Sequence, residues 1–168
     1  MSQKPIYDMA RGVLKFDEES KKLIHHFKYY DKTTLAKIFA LNMLNQYSSI
    51  IQQSDLIIPV PMHRFKRMLR FYNHAFILAK ELASIAHKSV LSDVLIKSKW
   101  TKSQAKLSKK ERDVNLANSF ELQNTHLIKN KKILLIDDVL TTSATANACS
   151  KLLKKHAQSV SVLVVALT

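Results

Sequence analysis

Leu23, Ile24, Phe27 and Tyr30, and after a polar break Leu35, Ile38 and Phe39, recur at the three- and four-residue spacing of one helix face. Two amphipathic helices are therefore expected ahead of the first strand. The period then changes. Leu56-Ile57-Ile58-Pro59-Val60-Pro61 is a continuous apolar run stopped by prolines, the pattern of a buried strand entering a conformationally restricted loop. Helical spacing returns at Ala75, Leu78, Ala79, Leu82 and Ile85, which makes a strand, loop and helix unit. Val94-Leu95-Ile96 reads as a further strand, Ile133-Leu134-Leu135-Ile136 as a four-residue aliphatic strand, and 160–167 as a closing strand. Between the last two, Cys149, Leu152 and Leu153 share a helical face.

Strands with no polar alternation are covered on both faces, and strands separated by helices pair in parallel. The expected class is α/β: a parallel sheet with helices on both faces, N-terminal helices, and ligands at the C-terminal ends of the strands. At 168 residues, with no repeat and no linker, the chain fits a single domain over 1–168. The segment 97–115 is rich in Lys and Arg and nearly aperiodic, so a flexible basic loop is expected there.

Charge narrows the partners. With 27 Lys and Arg against 13 Asp and Glu the formal charge is +14, which favours phosphorylated metabolites, nucleic acid or acidic lipid without choosing among them. There is one glycine, Gly12, so tight loops must be built from residues that carry a Cβ. Cys149 is the one cysteine; it forms no internal disulfide or Cys-rich zinc site and reads as a small buried hydrophobe. No apolar run has the length of a membrane span, and 1–15 lacks the apolar core of a signal peptide, which points to the cytoplasm.

The specific chemistry lies at 137–145. After the aliphatic strand come Asp137 and Asp138, then Val139 and Leu140, then Thr141, Thr142, Ser143, Ala144 and Thr145 at a helix start. Free N–H groups and the positive dipole end of a helix favour phosphate, and the hydroxyls add donors. Carboxylates repel phosphate but accept hydrogen bonds from a vicinal diol. Diol and phosphate together describe a ribose 5-phosphate group. An acidic pair at a strand end can also hold magnesium, and a Thr-rich turn can be a simple N-cap.

The segment resembles the phosphoribosyl pyrophosphate motif of type I phosphoribosyltransferases, in which a strand leads to two acids and a Thr-Thr-Gly-x-Thr loop; Ser143 stands at the usual glycine. Pro59-Val60-Pro61-Met62-His63, followed by Arg64, Arg67, Arg70, Tyr72, Asn73 and Ala75, is similar to a signature of the ComF (GntX-like) competence family, with Phe71 for its glycine and His74 for its glutamine. Lys99, Thr101, Gln104, Leu107, Glu111, Arg112, Asn115 and Phe120 resemble a second signature of that family, and Tyr7, Arg11, Gly12, Leu23 and Lys28 extend the likeness weakly towards the start. Relatives commonly begin with a four-cysteine zinc ribbon, which this sequence cannot make, so a short or truncated form is expected.

The resemblance implies roles. Asp137 and Asp138 would bind ribose, and Thr141, Thr142, Ser143, Ala144 and Thr145 the 5-phosphate. Pro61, Met62, His63, Arg64, Arg67 and Arg70 would face the pyrophosphate, while Lys99, Gln104 and Arg112 sit on a loop that closes over the site and excludes water. Mg2+ would arrive on the pyrophosphate of phosphoribosyl pyrophosphate rather than on protein ligands. A base nitrogen would then replace pyrophosphate at ribose C1; Thr141 stands where purine-specific relatives carry an aspartate, so the acceptor is not legible. The family's link to DNA uptake supplies a different reading: a non-catalytic accessory that binds single-stranded DNA beside a competence DNA-translocating partner. Stacking aromatics would serve it, with Phe71, Tyr72 and Trp100 as candidates. His25 and His26 read as helix surface.

Overall fold

Runs of aliphatic residues buried on both faces build the centre of the fold. The computed structural model describes residues 5–30, 32–62, 72–98 and 118–168. In chain order its elements are β1 (Met9–Lys15), α1 (Glu18–Tyr29), α2 (Lys32–Gln53), β2 (Leu56–Pro59), α3 (His74–Ala86), β3 (Ser89–Val90), β4 (Leu95–Lys97), β5 (Phe120–Leu122), a 3-10 turn (Thr125–Ile128), β6 (Lys132–Leu140), α4 (Ala144–Leu153) and β7 (Ser159–Leu167). Five strands form a parallel sheet in the order β1-β7-β6-β2-β3.

Alternation along β6 divides the core. Leu134 and Ile136, with Leu163 and Val165 of β7, face Phe27 of α1, Ala40 and Met43 of α2, and Leu78 and Leu82 of α3. Ile133 and Leu135 face the other way with Val160, Val162 and Val164, towards Cys149 and Leu153 of α4, Leu95 and Phe120. The parallel sheet with helices on both faces is thus as the aliphatic runs require.

Three details depart from the sequence reading. A strand, β1, precedes the helices and pairs along β7 from Met9 to Lys15; its mixed residues hide it from a periodicity search. The second helix extends to Gln53 and bends at Tyr47 (φ −130°, ψ 30°), whose hydroxyl donates to Gly12 O at 2.7 Å. The strand at 94–96 lies outside the main sheet, paired antiparallel with β5.

The glycine shortage has its expected cost. Among the described residues His87, Asn124, Asn130 and Ser143 adopt positive φ without being glycine, and each such residue with a Cβ carries strain of about 1 kcal/mol. Three of them close ordinary turns. Ser143 is different, because it lies in the hydroxyl-rich turn that follows the strand carrying the acidic pair.

Candidate functional site

The sheet order creates a crevice. From β2 the chain crosses through α3 to β3 on one side, and from β6 it crosses through α4 to β7 on the other. Helix α3 lies on one face and α4 on the opposite face. The loops leaving β2 and β6 therefore diverge, and such a switch point is where open α/β sheets bind ligands.

On the β2 side, Pro59 is in register with Ile136, and Val60 N donates to Ile136 O at 2.8 Å. Pro59 fits here because β3 pairs only with Leu56 and Ile57, so its missing N–H breaks no ladder. The half-buried Pro61 and Met62 consequently leave the sheet beside Asp137. Asn73 fixes the far end of the loop: its Oδ1 caps α3 through Ala75 N at 3.1 Å while its Nδ2 donates to Val60 O at 3.0 Å. His63, Arg64, Arg67, Arg70 and Phe71 lie outside the described residues, as do Trp100, Lys99, Gln104 and Arg112.

On the β6 side the strand continues to Leu140, in register with Leu167, so the acidic pair lies within the strand and not beyond its end. Neighbouring side chains on a strand point to opposite faces. Asp138 turns to α1, where its Oδ2 pairs with Lys28 Nζ at 2.6 Å. Asp137 is beside Cys149 of α4. Burial pushes the Asp137 carboxyl well above the ordinary range, and the Asp138 charge raises it further. Its Oδ1 accepts from Asp138 N at 2.9 Å. The Cys149 thiol is driven far up by burial first and by Asp137 second, which leaves it inert at neutral pH.

Beyond the strand, Thr141 and Thr142 are exposed and Ser143, Ala144 and Thr145 half-buried at the start of α4. Ser143 is the N-cap residue at φ 58°, ψ 0°, and its side chain makes no cap bond to the helix. Its hydroxyl instead lies 2.9 Å from Tyr7 Oη. The first-turn amides of α4 are thus not capped by the Ser143 side chain, and the two exposed threonines immediately precede them in the chain.

Lys28 and Tyr7 gain positions here that local patterning could not assign. Lys28 follows a buried Phe27 in the last turn of α1, and α1 is tied to the start of α3 by His74, whose Nε2 lies 2.9 Å from Lys28 O. The His74 ring makes edge contacts with Phe27 and Tyr72, at 5.3 and 5.0 Å between centroids. Both residues reach the site across long chain separations. Only the weak likeness to the ComF signature had marked them.

A sheet of this order, with an acidic strand end leading into a hydroxyl-rich helix start at the switch point, defines a phosphoribosyltransferase-like α/β protein. Residues 73–167 match the phosphoribosyl transferase domain, and the chain belongs to that family as a ComF-like member. It is 31% identical over 161 residues to competence protein F of Haemophilus influenzae, covering 92% of this chain and 70% of that protein. It is 28% identical over 139 residues to DNA utilization protein YhgH of Shigella flexneri, and 23% identical over 155 residues to competence protein ComFC of Bacillus subtilis. These alignments cover 80% and 90% of this chain, and it spans 60% of the length of each of those two relatives. Among solved structures, the glutamine phosphoribosylpyrophosphate amidotransferase of B. subtilis superposes with a TM-score of 0.52 at 17% identity, over 77% of this chain and 26% of that one. No helix among the described residues is long and apolar enough to cross a membrane.

Proposed function

We propose that the crevice between β2 and β6 binds the ribose 5-phosphate part of phosphoribosyl pyrophosphate, with Thr141, Thr142, Ser143, Ala144 and Thr145 around the phosphate and Asp137 and Asp138 at the ribose hydroxyls. The observation that carries this reading is the left-handed Ser143 at the head of α4. Serine there takes a conformation that glycine favours, and the first-turn amides, which its side chain does not cap, supply with the threonine hydroxyls the donors of an anion cradle. The Lys28 ammonium keeps Asp138 paired through Oδ2.

The pyrophosphate would lie towards Pro61 and Met62, with the basic residues His63, Arg64, Arg67 and Arg70 following in sequence, and with Lys99, Gln104 and Arg112 as the closing segment. Asp137 and Asp138 point to opposite faces of β6 and Asp138 is already paired with Lys28, so the two do not make a joint cation site. A magnesium ion would therefore take most of its oxygens from the pyrophosphate and supply charge neutralisation for its departure. The reaction this arrangement serves is pentosyl transfer to a nitrogenous acceptor, in the cytoplasm.

A second reading rests on the net charge of +14 and on relatives named for competence and DNA utilization: single-stranded DNA binding without turnover. Calorimetric titration with phosphoribosyl pyrophosphate, with and without magnesium and at moderate salt, separates the two. A saturable, magnesium-dependent one-to-one signal that disappears in the folded Asp137→Ala, Asp138→Ala variant is expected. Absence of any signal, with salt-sensitive binding to single-stranded DNA instead, would overturn the sugar-phosphate reading in favour of the second.

A further inference from the structure

Ser143 occupies a backbone conformation that glycine adopts freely and serine does not. Its side chain makes no bond to its own helix that would offset that strain. The structure supplies a holder from the other end of the chain. Tyr7 Oη lies 2.9 Å from Ser143 Oγ, and the residues on either side of Tyr7 are fixed as well. Ile6 N donates to Asn147 Oδ1 at 2.8 Å. Asp8 N donates to Val160 O at 2.9 Å, and the Asp8 carboxylate accepts from Val160 N at 2.8 Å and pairs with Lys154 at the end of α4. Tyr7 itself packs against the core cluster beneath α4. Three successive residues therefore strap the first and last turns of α4 to β7, with the phenol placed at the strained serine.

We infer that Tyr7 is a positioning residue of the phosphate loop: its hydrogen bond with Ser143 Oγ holds the serine in its left-handed conformation and so keeps the first turn of α4 in place for an anion. This inference rests on the phosphate-cradle reading of the loop. It also accounts for a serine at a glycine position. A glycine would need no latch, and a serine without one would relax towards negative φ and swing the first-turn amides away.

The test is a double-mutant cycle in the full chain, with Tyr7→Phe, Ser143→Gly and the two together, each confirmed folded by circular dichroism. Titration with phosphoribosyl pyrophosphate and magnesium should show Tyr7→Phe weakening binding about tenfold in the wild-type background, the effect of one hydrogen bond. In the Ser143→Gly background the same change should be nearly neutral. A structural role for the strap alone would give equal losses in both backgrounds and overturn the inference, as would a wild type that binds and shows no loss on Tyr7→Phe. Amide hydrogen exchange at 142–147 gives a readout that needs no ligand: Tyr7→Phe should accelerate exchange there only where Ser143 is present. Unchanged exchange would sink the latch even if the sugar phosphate binds, and accelerated exchange would uphold it even if the sugar phosphate does not.

Discussion

Lys28 Nζ lies 2.6 Å from Asp138 Oδ2, joining the last turn of α1 to the C-terminal part of β6. The side chains are 25% and 17% exposed, so the pair is screened less than a surface bridge yet is not fully desolvated. Loss of one partner leaves the other charge poorly solvated, which costs more than the pair contributes. Lys28→Met should therefore lower stability by about 1–2 kcal/mol, between the surface and buried cases. Lys28→Met with Asp138→Asn should recover most of that loss. Urea unfolding of the single and double variants checks both, and a double variant no better than the single would mean that packing of the lysine stem, not charge, holds α1.

Asp137 gives the opposite sign. Its carboxyl is raised by burial and then by Asp138, so the folded state keeps a proton that the unfolded chain releases at about pH 3.9. Stability is then lost as pH rises from that value until the folded group itself ionises. Asp137→Asn retains an acceptor for Asp138 N and removes the penalty. Its stability advantage over the wild type should be near zero at about pH 4 and widen towards neutrality. Asp8 also titrates: burial pushes its carboxyl up, but hydrogen bonds from Lys154 and Val160 outweigh this and leave it lowered. That contribution is common to both proteins and cancels in the difference. Parallel urea midpoints across the pH range would contradict the raised pKa.

The order of elements was legible wherever the core imposed a pattern. Ile133 to Ile136 could be read as a doubly covered strand because both faces exclude water, and Cys149 as buried because it shares a face with Leu153. What stayed hidden depends on pairing at long range. Strand β1 is held by β7 and carries Arg11 and Gly12 among its apolar residues, so no period marks it. Asp137 and Asp138 read as a post-strand pair because the aliphatic run stops at Ile136, whereas β7 holds the strand to Leu140. The positive φ of Ser143 could be anticipated from the loop pattern, but not its contact with Tyr7, 136 residues away.

Gly12 is required for a close approach and not for its φ. A Cβ there would lie 2.6 Å from Leu167 Cβ and 3.0 Å from Leu167 N. Strands β1 and β7 would have to separate, and the Tyr47 hydroxyl bond to Gly12 O at the bend of α2 would be strained with them. Gly12→Ala should cost about 1–3 kcal/mol, the usual range for overpacking, seen as a lower urea midpoint. Because Leu167 and Thr168 sit beside Leu140 and Thr141, the same change should also weaken phosphoribosyl pyrophosphate binding. Unchanged stability would show that the edge strand shifts freely.

Cys149 reports on the opening of α4. The residue is fully buried, and its thiol is held protonated by burial and by the neighbouring Asp137. The thiolate is the nucleophile, so labelling needs both exposure and a return to an ordinary thiol pKa, and both arrive only when α4 leaves the sheet. At about pH 8, iodoacetamide should leave the folded protein unmodified over hours and label it fully in denaturant. A variant that unlatches Ser143 should label faster only if the loop and the whole helix open as one unit. Rapid labelling of the wild type would mean that α4 separates from β6 under native conditions, and the acidic strand end would then have no fixed partner across the phosphate loop.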